Sequence, residues 1–230
     1  MNRRMSGVKT VAIIPAAGSG KRLKSKEKKP FVLLGGKPLI AYSLEALAAA
    51  KYINGIIIAV EAESIERLKE IINRYGFKKV IGIVKGGKTR TESVRNCFRA
   101  IDKPCDIVLI HDGARPFPET RTIRDSIRYA KKFGGCVAAR PTTDTIKLVD
   151  KNLFVERTLD RKYLWSAQTP QTFRYDILKK ALSRIKGNLN MTDDACVLER
   201  LGKTVKILKS SARNIKVTTK EDLKIAEALI

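Results

Sequence analysis

The sequence predicts an α/β protein, a mostly parallel Rossmann-like sheet covered by helices on both faces, with an inserted β-hairpin arm. Three observations predict it. Short apolar runs alternate with segments of helical period. Glycines, carboxylates and cations fall just after those runs, and one pair of apolar stretches breaks the alternation.

Val11 to Ile14 has no polar face and reads as a strand buried on both sides. Pro38 to Ala50 follows as a helix with proline in its first turn, then a strand at Ile56 to Val60 and a helix at Ser64 to Tyr75 stopped by Gly76. Val80 to Val84 is the third strand, Thr91 to Ile101 a helix, Ile107 to Ile110 the fourth strand, and Thr120 to Phe133 a helix stopped by Gly134. Cys136 to Ala139 is the fifth strand. Next, IKLVD, Lys151, Asn152 and LFVERT read as a hairpin with little core of its own. Leu148, Leu153 and Val155 need a surface to cover them. A second copy of the chain is the simplest one, and the hairpin's own domain the alternative. A strand at Val205 to Leu208 and a helix at Glu221 to Ala228, with Thr219 and Asp222 at capping-box spacing, complete the unit.

The 230 residues, 43% of them hydrophobic, suffice for the core of a single domain spanning 1–230. Lys and Arg number 47 against 23 acidic residues, a net charge of +24 that favours polyanions such as nucleotides, phosphorylated metabolites or nucleic acid. The basic residues are spread along the chain beside acidic ones (Glu66, Arg67, Lys69, Glu70) rather than gathered in a block, so most read as solvated surface. Aromatic residues are only 6% and scattered, which argues against a single-strand stacking platform. Cys97, Cys105, Cys136 and Cys196 lack CxxC spacing and read as reduced, buried thiols of a cytoplasmic protein. No apolar run approaches the ~20 residues of a membrane span. The lone His111 excludes a two-histidine metal site and a conventional Ser-His hydrolase triad.

In an open α/β sheet, ligands bind beyond the carboxyl ends of the strands. Collected there are Pro15, Ala16, Ala17, Gly18, Gly20, Lys21 and Arg22 after the first strand, with Lys29 beyond a basic loop. Gly86, Gly87, Arg90 and Ser93 follow the third strand, HDGARP (111–116) the fourth and PTTDTIK (141–147) the fifth. The first loop is neither GxxxxGK[ST], which needs glycine at Pro15 and a hydroxyl at Arg22, nor GxGxxG, which needs glycine at Leu23. The rim is rich in Arg and Lys, holds Asp112 and Asp144, and has no nucleophile beside a base. Such a set clamps phosphoryl groups electrostatically.

At these residues the sequence resembles the 2-C-methyl-D-erythritol 4-phosphate cytidylyltransferases of the non-mevalonate isoprenoid pathway, within the nucleotidyltransferases. The likeness covers nearly the whole chain: PAAGSGKR, the Lys29 region with LLGGKPL, Gly86 to Val94, HDGARP, DTIK, LWSAQTPQTF, MTDDACVLE and NIKVTT. It implies a transfer of CMP from CTP to a methylerythritol phosphate, with Arg22 and Lys29 neutralising the CTP phosphates and Arg161 and Lys216 positioning the second substrate. Pro15, Ala16, Ala17, Gly18, Gly20, Gly86, Gly87, Ser93 and Asp112 would hold the nucleotide, and Asp112, Arg115, Thr145, Arg161, Thr169 and Lys216 the polyol phosphate. It further implies Mg²⁺ bound with the CTP phosphates and no metal site of the protein's own. The arm, residues 142–163, would make a homodimer and offer Thr145 and Arg161 to the neighbouring site. Relatives commonly read Pro-Lys-Gln where this chain has Lys28-Lys29-Pro30, so Lys28 competes with Lys29 for the catalytic position, and Lys88 stands where a carboxylate often follows the Gly-Gly pair.

A phosphate dianion attacking the α-phosphorus in line needs no general base, so the task reduces to holding two polyanions together. The alternatives are a cytidylyltransferase for another polyol phosphate such as ribitol 5-phosphate, a basic nucleic-acid-binding protein, and an inactive structural homologue.

Overall fold

A computed structural model describes residues 8–18, 20–23, 25, 27–184 and 191–230. Ser19 of the glycine-rich loop and the side chain of Lys21 lie outside the described residues.

The chain begins with β1 (Thr10–Pro15), a small ribbon of β2 (Leu33–Leu34) and β3 (Lys37–Pro38), α1 (Leu39–Ala49), β4 (Gly55–Val60), α2 (Ile65–Tyr75), β5 (Val80–Lys85), α3 (Arg90–Arg99), β6 (Ile107–Ile110) and α4 (Thr120–Phe133). It continues through β7 (Gly135–Pro141), β8 (Lys147–Val149), β9 (Val155–Thr158), β10 (Trp165–Arg174), α5 (Tyr175–Arg184), α6 (Ala195–Glu199), β11 (Lys206–Lys209) and α7 (Lys220–Glu227). Seven strands form one sheet in the order β11-β7-β10-β6-β1-β4-β5. β10 runs antiparallel to both its neighbours, and the remaining pairs are parallel.

The strand period of two sorts the apolar residues onto two faces. Ala12 and Ile14 of β1, Ile56 and Ile58 of β4 and Leu109 of β6 pack against Leu44, Leu68 and Ile127 of α1, α2 and α4. Val11, Ile13, Ile57, Val108 and Ile110 point the other way, onto Val94 and Phe98 of α3, Leu178 of α5 and Leu198 of α6. A third cluster of Leu23, Val32, Leu34, Leu39, Val217 and Ala226 sits under the loops and fixes the segments on which Lys29 and Lys216 ride. Because β1 is flanked by β4 on one side and β6 on the other, the connections leave it in opposite directions and open a crevice at its carboxyl end.

The five strands expected in the first two-thirds of the chain form, each matching or exceeding its expected span by one to three residues. Gly76 and Gly134, both at positive φ, end α2 and α4, and the Thr219–Asp222 capping box opens α7. β10 is new relative to the sequence reading. WSAQTPQTFR has no apolar run because four of its six buried residues, Gln168, Thr169, Gln171 and Thr172, are polar and satisfied by hydrogen bonds, leaving only Pro170 and Phe173 as its buried apolar residues. Thr172 Oγ1 donates to Ser126 Oγ of α4 (2.9 Å), and Gln171 Oε1 accepts the Asp194 and Ala195 N–H groups where α6 starts. α5 and α6 are likewise additions. The four thiols are free, but only Cys97 and Cys136 are buried; Cys105 and Cys196 are half-exposed, which corrects the expectation for those two.

The inserted hairpin forms as β8 and β9, with Asp150 Oδ1 accepting the Asn152 and Phe154 N–H groups in its turn. Every residue of both strands is exposed, so the hairpin does not fold back on its own chain. No helix among the described residues is long and apolar enough to cross a membrane.

Candidate active site

Three loops and one later segment meet in a cleft of about 650 Å³ at the carboxyl end of β1. Pro15, Ala16, Ala17, Gly18, Gly20 and Arg22 form one wall, and Gly86, Gly87, Arg90 and Ser93 the facing one. Asp112 and Gly113 form the floor, and Lys29 and Lys216 close the side.

The two walls are hung from the end of β4. The Ala16 N–H donates to the Ala59 carbonyl (2.7 Å) and the Gly86 N–H to the Val60 carbonyl (2.8 Å). A Cβ on Gly86 would stand 2.1 Å from Ala17 Cβ, so only glycine lets the walls approach this closely. Neither atom belongs to a flexible side chain that can swing aside. Gly86→Ala is therefore expected to destabilise the fold by about 1–3 kcal/mol, measured as a lower denaturation midpoint; an unchanged midpoint would refute the close-approach account. Ser93 fixes the second wall, its Oγ accepting the Gly87 N–H (3.0 Å) and donating to the Thr89 carbonyl (3.1 Å). Thr89 caps α3 by accepting from the Glu92 N–H.

The fold separates the two candidate lysines. Buried Pro30 and Phe31 pin a turn that sends the adjacent side chains different ways. Lys28 Nζ is engaged by Glu61 (2.5 Å), at the edge of the cleft, and by exposed Glu63 (2.6 Å) and is not part of the lining, whereas Lys29 lines the cleft. Burial, reinforced by neighbouring Lys216 and Arg22 and opposed by Asp112, pulls the Lys29 ammonium down to about 8.

Asp112 is the electrostatic hub. Its Oδ1 lies 3.0 Å from Arg90 Nε and Nη2, its Oδ2 2.8 Å from Lys216 Nζ and 3.8 Å from Arg115 Nε. Burial favours the neutral carboxyl, but Arg90, Lys216 and Arg115 outweigh it and hold Asp112 well below the usual carboxylate range. Behind it, Thr169 Oγ1 accepts the Asp112 N–H (3.0 Å), Arg115 Nη1 donates to the Asn214 carbonyl (2.7 Å), and Asn214 Nδ2 donates to the Thr169 carbonyl (2.7 Å). β10 and the 214–217 segment are thereby tied to the 111–115 loop.

Of the residues singled out from the sequence, the structure gathers Pro15, Ala16, Ala17, Gly18, Gly20, Arg22, Lys29, Gly86, Gly87, Ser93, Asp112 and Lys216 around this cleft. Arg115 and Thr169 lie directly behind Asp112 rather than in the lining. Thr145 and Arg161 are not brought to it. Both are exposed at the root of the hairpin, where Arg161 Nη1 donates to the Thr143 carbonyl (2.7 Å). The 141–147 stretch thus leads away into the arm instead of joining the rim. Sequence reading missed Asp194, which is buried with its Oδ2 2.7 Å from Arg90 Nη2, so that Arg90 is clamped between two carboxylates. The signal available was the Asp193-Asp194 pair ahead of the apolar ACVL run in MTDDACVLE. The arrangement presents cations over a glycine-lined trough with one buried carboxylate, a receptor for a polyphosphate.

The family model described as 2-C-methyl-D-erythritol 4-phosphate cytidylyltransferase matches residues 10–230. A protein of that name from Alkaliphilus oremlandii is 46% identical over 224 residues, covering 96% of this chain and 95% of its own length. One from Geobacillus thermodenitrificans is 43% identical over 221 residues, covering 95% and 96%. Among solved structures, the 4-diphosphocytidyl-2C-methyl-D-erythritol synthase of Anaerococcus prevotii superposes with a TM-score of 0.87 at 29% identity, over 100% of this chain and 99% of that one.

Proposed function

The chain belongs to the 2-C-methyl-D-erythritol 4-phosphate cytidylyltransferase family, and from that premise we propose that Arg22, Lys29, Lys216 and a second copy's Arg161 carry out its reaction. The enzyme transfers CMP from CTP to 2-C-methyl-D-erythritol 4-phosphate, releasing pyrophosphate and forming 4-diphosphocytidyl-2-C-methyl-D-erythritol for isoprenoid synthesis. The observation that carries the assignment of roles is the meeting of Arg22, Lys29 and Lys216 in one glycine-walled cleft.

A phosphate oxygen of the sugar alcohol attacks the α-phosphorus of CTP, a P–O bond forms, and the bond to the bridging oxygen of pyrophosphate breaks. Both reactants are anions, and bringing them together in water is opposed by their charge. Arg22 and Lys29 neutralise the triphosphate as charge moves onto pyrophosphate, while Lys216, held in place by Asp112, steers the attacking phosphate. Pro15, Ala16, Ala17, Gly18 and Gly20 on one wall and Gly86, Gly87 and Ser93 on the other hold the nucleotide. Arg115 and Thr169 act from behind Asp112 to shape the polyol site.

Magnesium enters as part of the CTP substrate. Asp112 has both oxygens engaged by cations, Glu61 is paired with Lys28, and the described residues hold no group of three or more His, Cys, Asp or Glu suited to a metal. Such a cleft fits an ion that arrives on phosphates with its waters, the usual habit of Mg²⁺.

The arm, 142–163, makes the protein a homodimer in this reading. Leu153 is 79% and Phe154 72% exposed, and Thr145 and Arg161 reach a cleft only if another copy receives them. Phe154→Asp is expected to shift a dimer to monomer in sedimentation and to lower kcat/KM for the polyol phosphate without unfolding the chain; a dimer of unchanged affinity would count against the arm. The four unpaired thiols support a reducing, cytoplasmic setting. The basic excess is taken as solvated surface rather than a nucleic-acid site.

Pyrophosphate release with CTP and 2-C-methyl-D-erythritol 4-phosphate, with ribitol 5-phosphate as the comparison, tests the reading. Faster turnover of ribitol 5-phosphate would overturn the substrate assignment.

A further inference from the structure

We propose that His111 is a positioning residue for the transfer reaction, a neutral hydrogen-bond acceptor that orients Thr169 and, through it, the Asp112 carboxylate on the cleft floor. This rests on the cleft being the transfer site. The imidazole is fully buried and is not among the residues lining the cleft. Its Nε2 lies 3.0 Å from the Arg115 carbonyl oxygen, which only accepts, so Nε2 carries the hydrogen and Nδ1 is bare. Nδ1 is 3.0 Å from Thr169 Oγ1 and must accept that hydroxyl's proton. The direction of the whole chain follows: with its proton committed to His111, Thr169 Oγ1 offers a lone pair to the Asp112 N–H, also at 3.0 Å.

The two ring nitrogens differ in how replaceable they are. Ser43 Oγ also donates to the Arg115 carbonyl (3.0 Å) and lies 3.3 Å from that of Gly113, so the loop stays anchored without the Nε2 bond. Nδ1 is the acceptor that fixes the Thr169 hydroxyl. Burial pulls the imidazole pKa down to about 4, which keeps Nδ1 bare at neutral pH. A mere filler at this place would be apolar, since burying an imidazole is recovered only when both nitrogens are bonded. What Nδ1 controls is the direction of Asp112, whose oxygens set Arg90 and Lys216.

Asparagine places an oxygen near the position of Nδ1, and glutamine a nitrogen near that of Nε2. His111→Asn is therefore expected to stay within about threefold of the parent kcat, and His111→Gln to lose on the order of tenfold or more, with KM for CTP little changed and similar melting temperatures for both. Thr169→Val should lose as much as His111→Gln, and the double variant no more than either. A glutamine variant as active as the asparagine one, or additive losses in the double variant, would overturn the proposal. If His111→Gln does not fold, Thr169→Val alone decides it, and parental kcat in that variant refutes the role. Absence of pyrophosphate release by the parent chain itself would instead remove the reading of the cleft.

Discussion

Replacing Lys29 with methionine is expected to lower kcat/KM for CTP by about a hundredfold or more, the usual cost of removing one charged group that stabilises developing charge (about 3 kcal/mol). The same change should raise the thermal stability of the ligand-free enzyme. The two effects have one cause. Lys29 is held near Arg22 and Lys216 and is partly stripped of water, so its ammonium is pulled from 10.5 to about 8 before any phosphate arrives. Between about 8 and 10.5 the unfolded chain binds the proton more readily than the folded one, so stability rises with pH across that window. Methionine removes the like-charge crowding and fills similar space. Catalysis has the opposite dependence: as pH rises through about 8 the free enzyme loses the charge that receives the triphosphate, and kcat/KM falls. Bound CTP restores the proton, so kcat should hold to higher pH than kcat/KM. A pH profile of both parameters checks this. An alkaline limb near 8 that survives in the methionine variant would assign it to another group.

The parts legible in the sequence share a physical reason. β1, β4 and β6 are buried on both faces, so beyond Thr10 at the start of β1 their residues are apolar and stand out from the helices between them. The rim was legible because loops after such strands need glycine for close approach and cations for phosphate, as at Gly86 and Arg22. What stayed hidden depends on buried polar groups. β10 sits in mid-sheet yet carries Gln168, Thr169, Gln171 and Thr172, whose value lies in partners contributed by α4, α6 and the 111–115 loop. Hydrophobic patterning is blind to such a strand. α6 has five residues, too few to show a period, and α5 starts at Tyr175 directly after β10, with no turn residue between. Lys28 and Lys29 are chemically identical, and only the turn through Pro30 and Phe31 tells them apart. Asp194 acts on the site through Arg90, a link between α6 and α3 that only the folded chain creates.

Asp112→Asn is expected to produce the largest combined loss of stability and activity. The amide keeps the shape of the carboxylate but has one acceptor oxygen in place of two and turns an NH2 toward Arg90 or Lys216, so the defect reports the lost charge together with one lost acceptor. Around it, Arg90 and Arg115 are largely buried and Lys216 is drawn in to 2.8 Å, and in the variant Arg90 retains only Asp194 while Arg115 loses its carboxylate. Leaving a buried charge without its partner costs about 3–5 kcal/mol, a substantial share of the ~5–15 kcal/mol that holds a domain together. Because folding lowers the pKa of Asp112, its contribution is fully present above its ordinary value of ~3.9 and is lost as pH falls below it. The parent should therefore destabilise in acid more steeply than the variant, and the two denaturation midpoints should converge at low pH. Activity should fall with stability but for a separable reason: Lys216, released from Oδ2, no longer steers the attacking phosphate, so kcat drops even at temperatures where the variant is fully folded. Phosphate-bearing ligands partly replace the missing negative charge, and CTP is expected to raise the melting temperature of the variant more than that of the parent. Equal ligand-induced shifts, or midpoints that stay parallel down to acid pH, would show that Asp112 is not the counter-ion of this cleft.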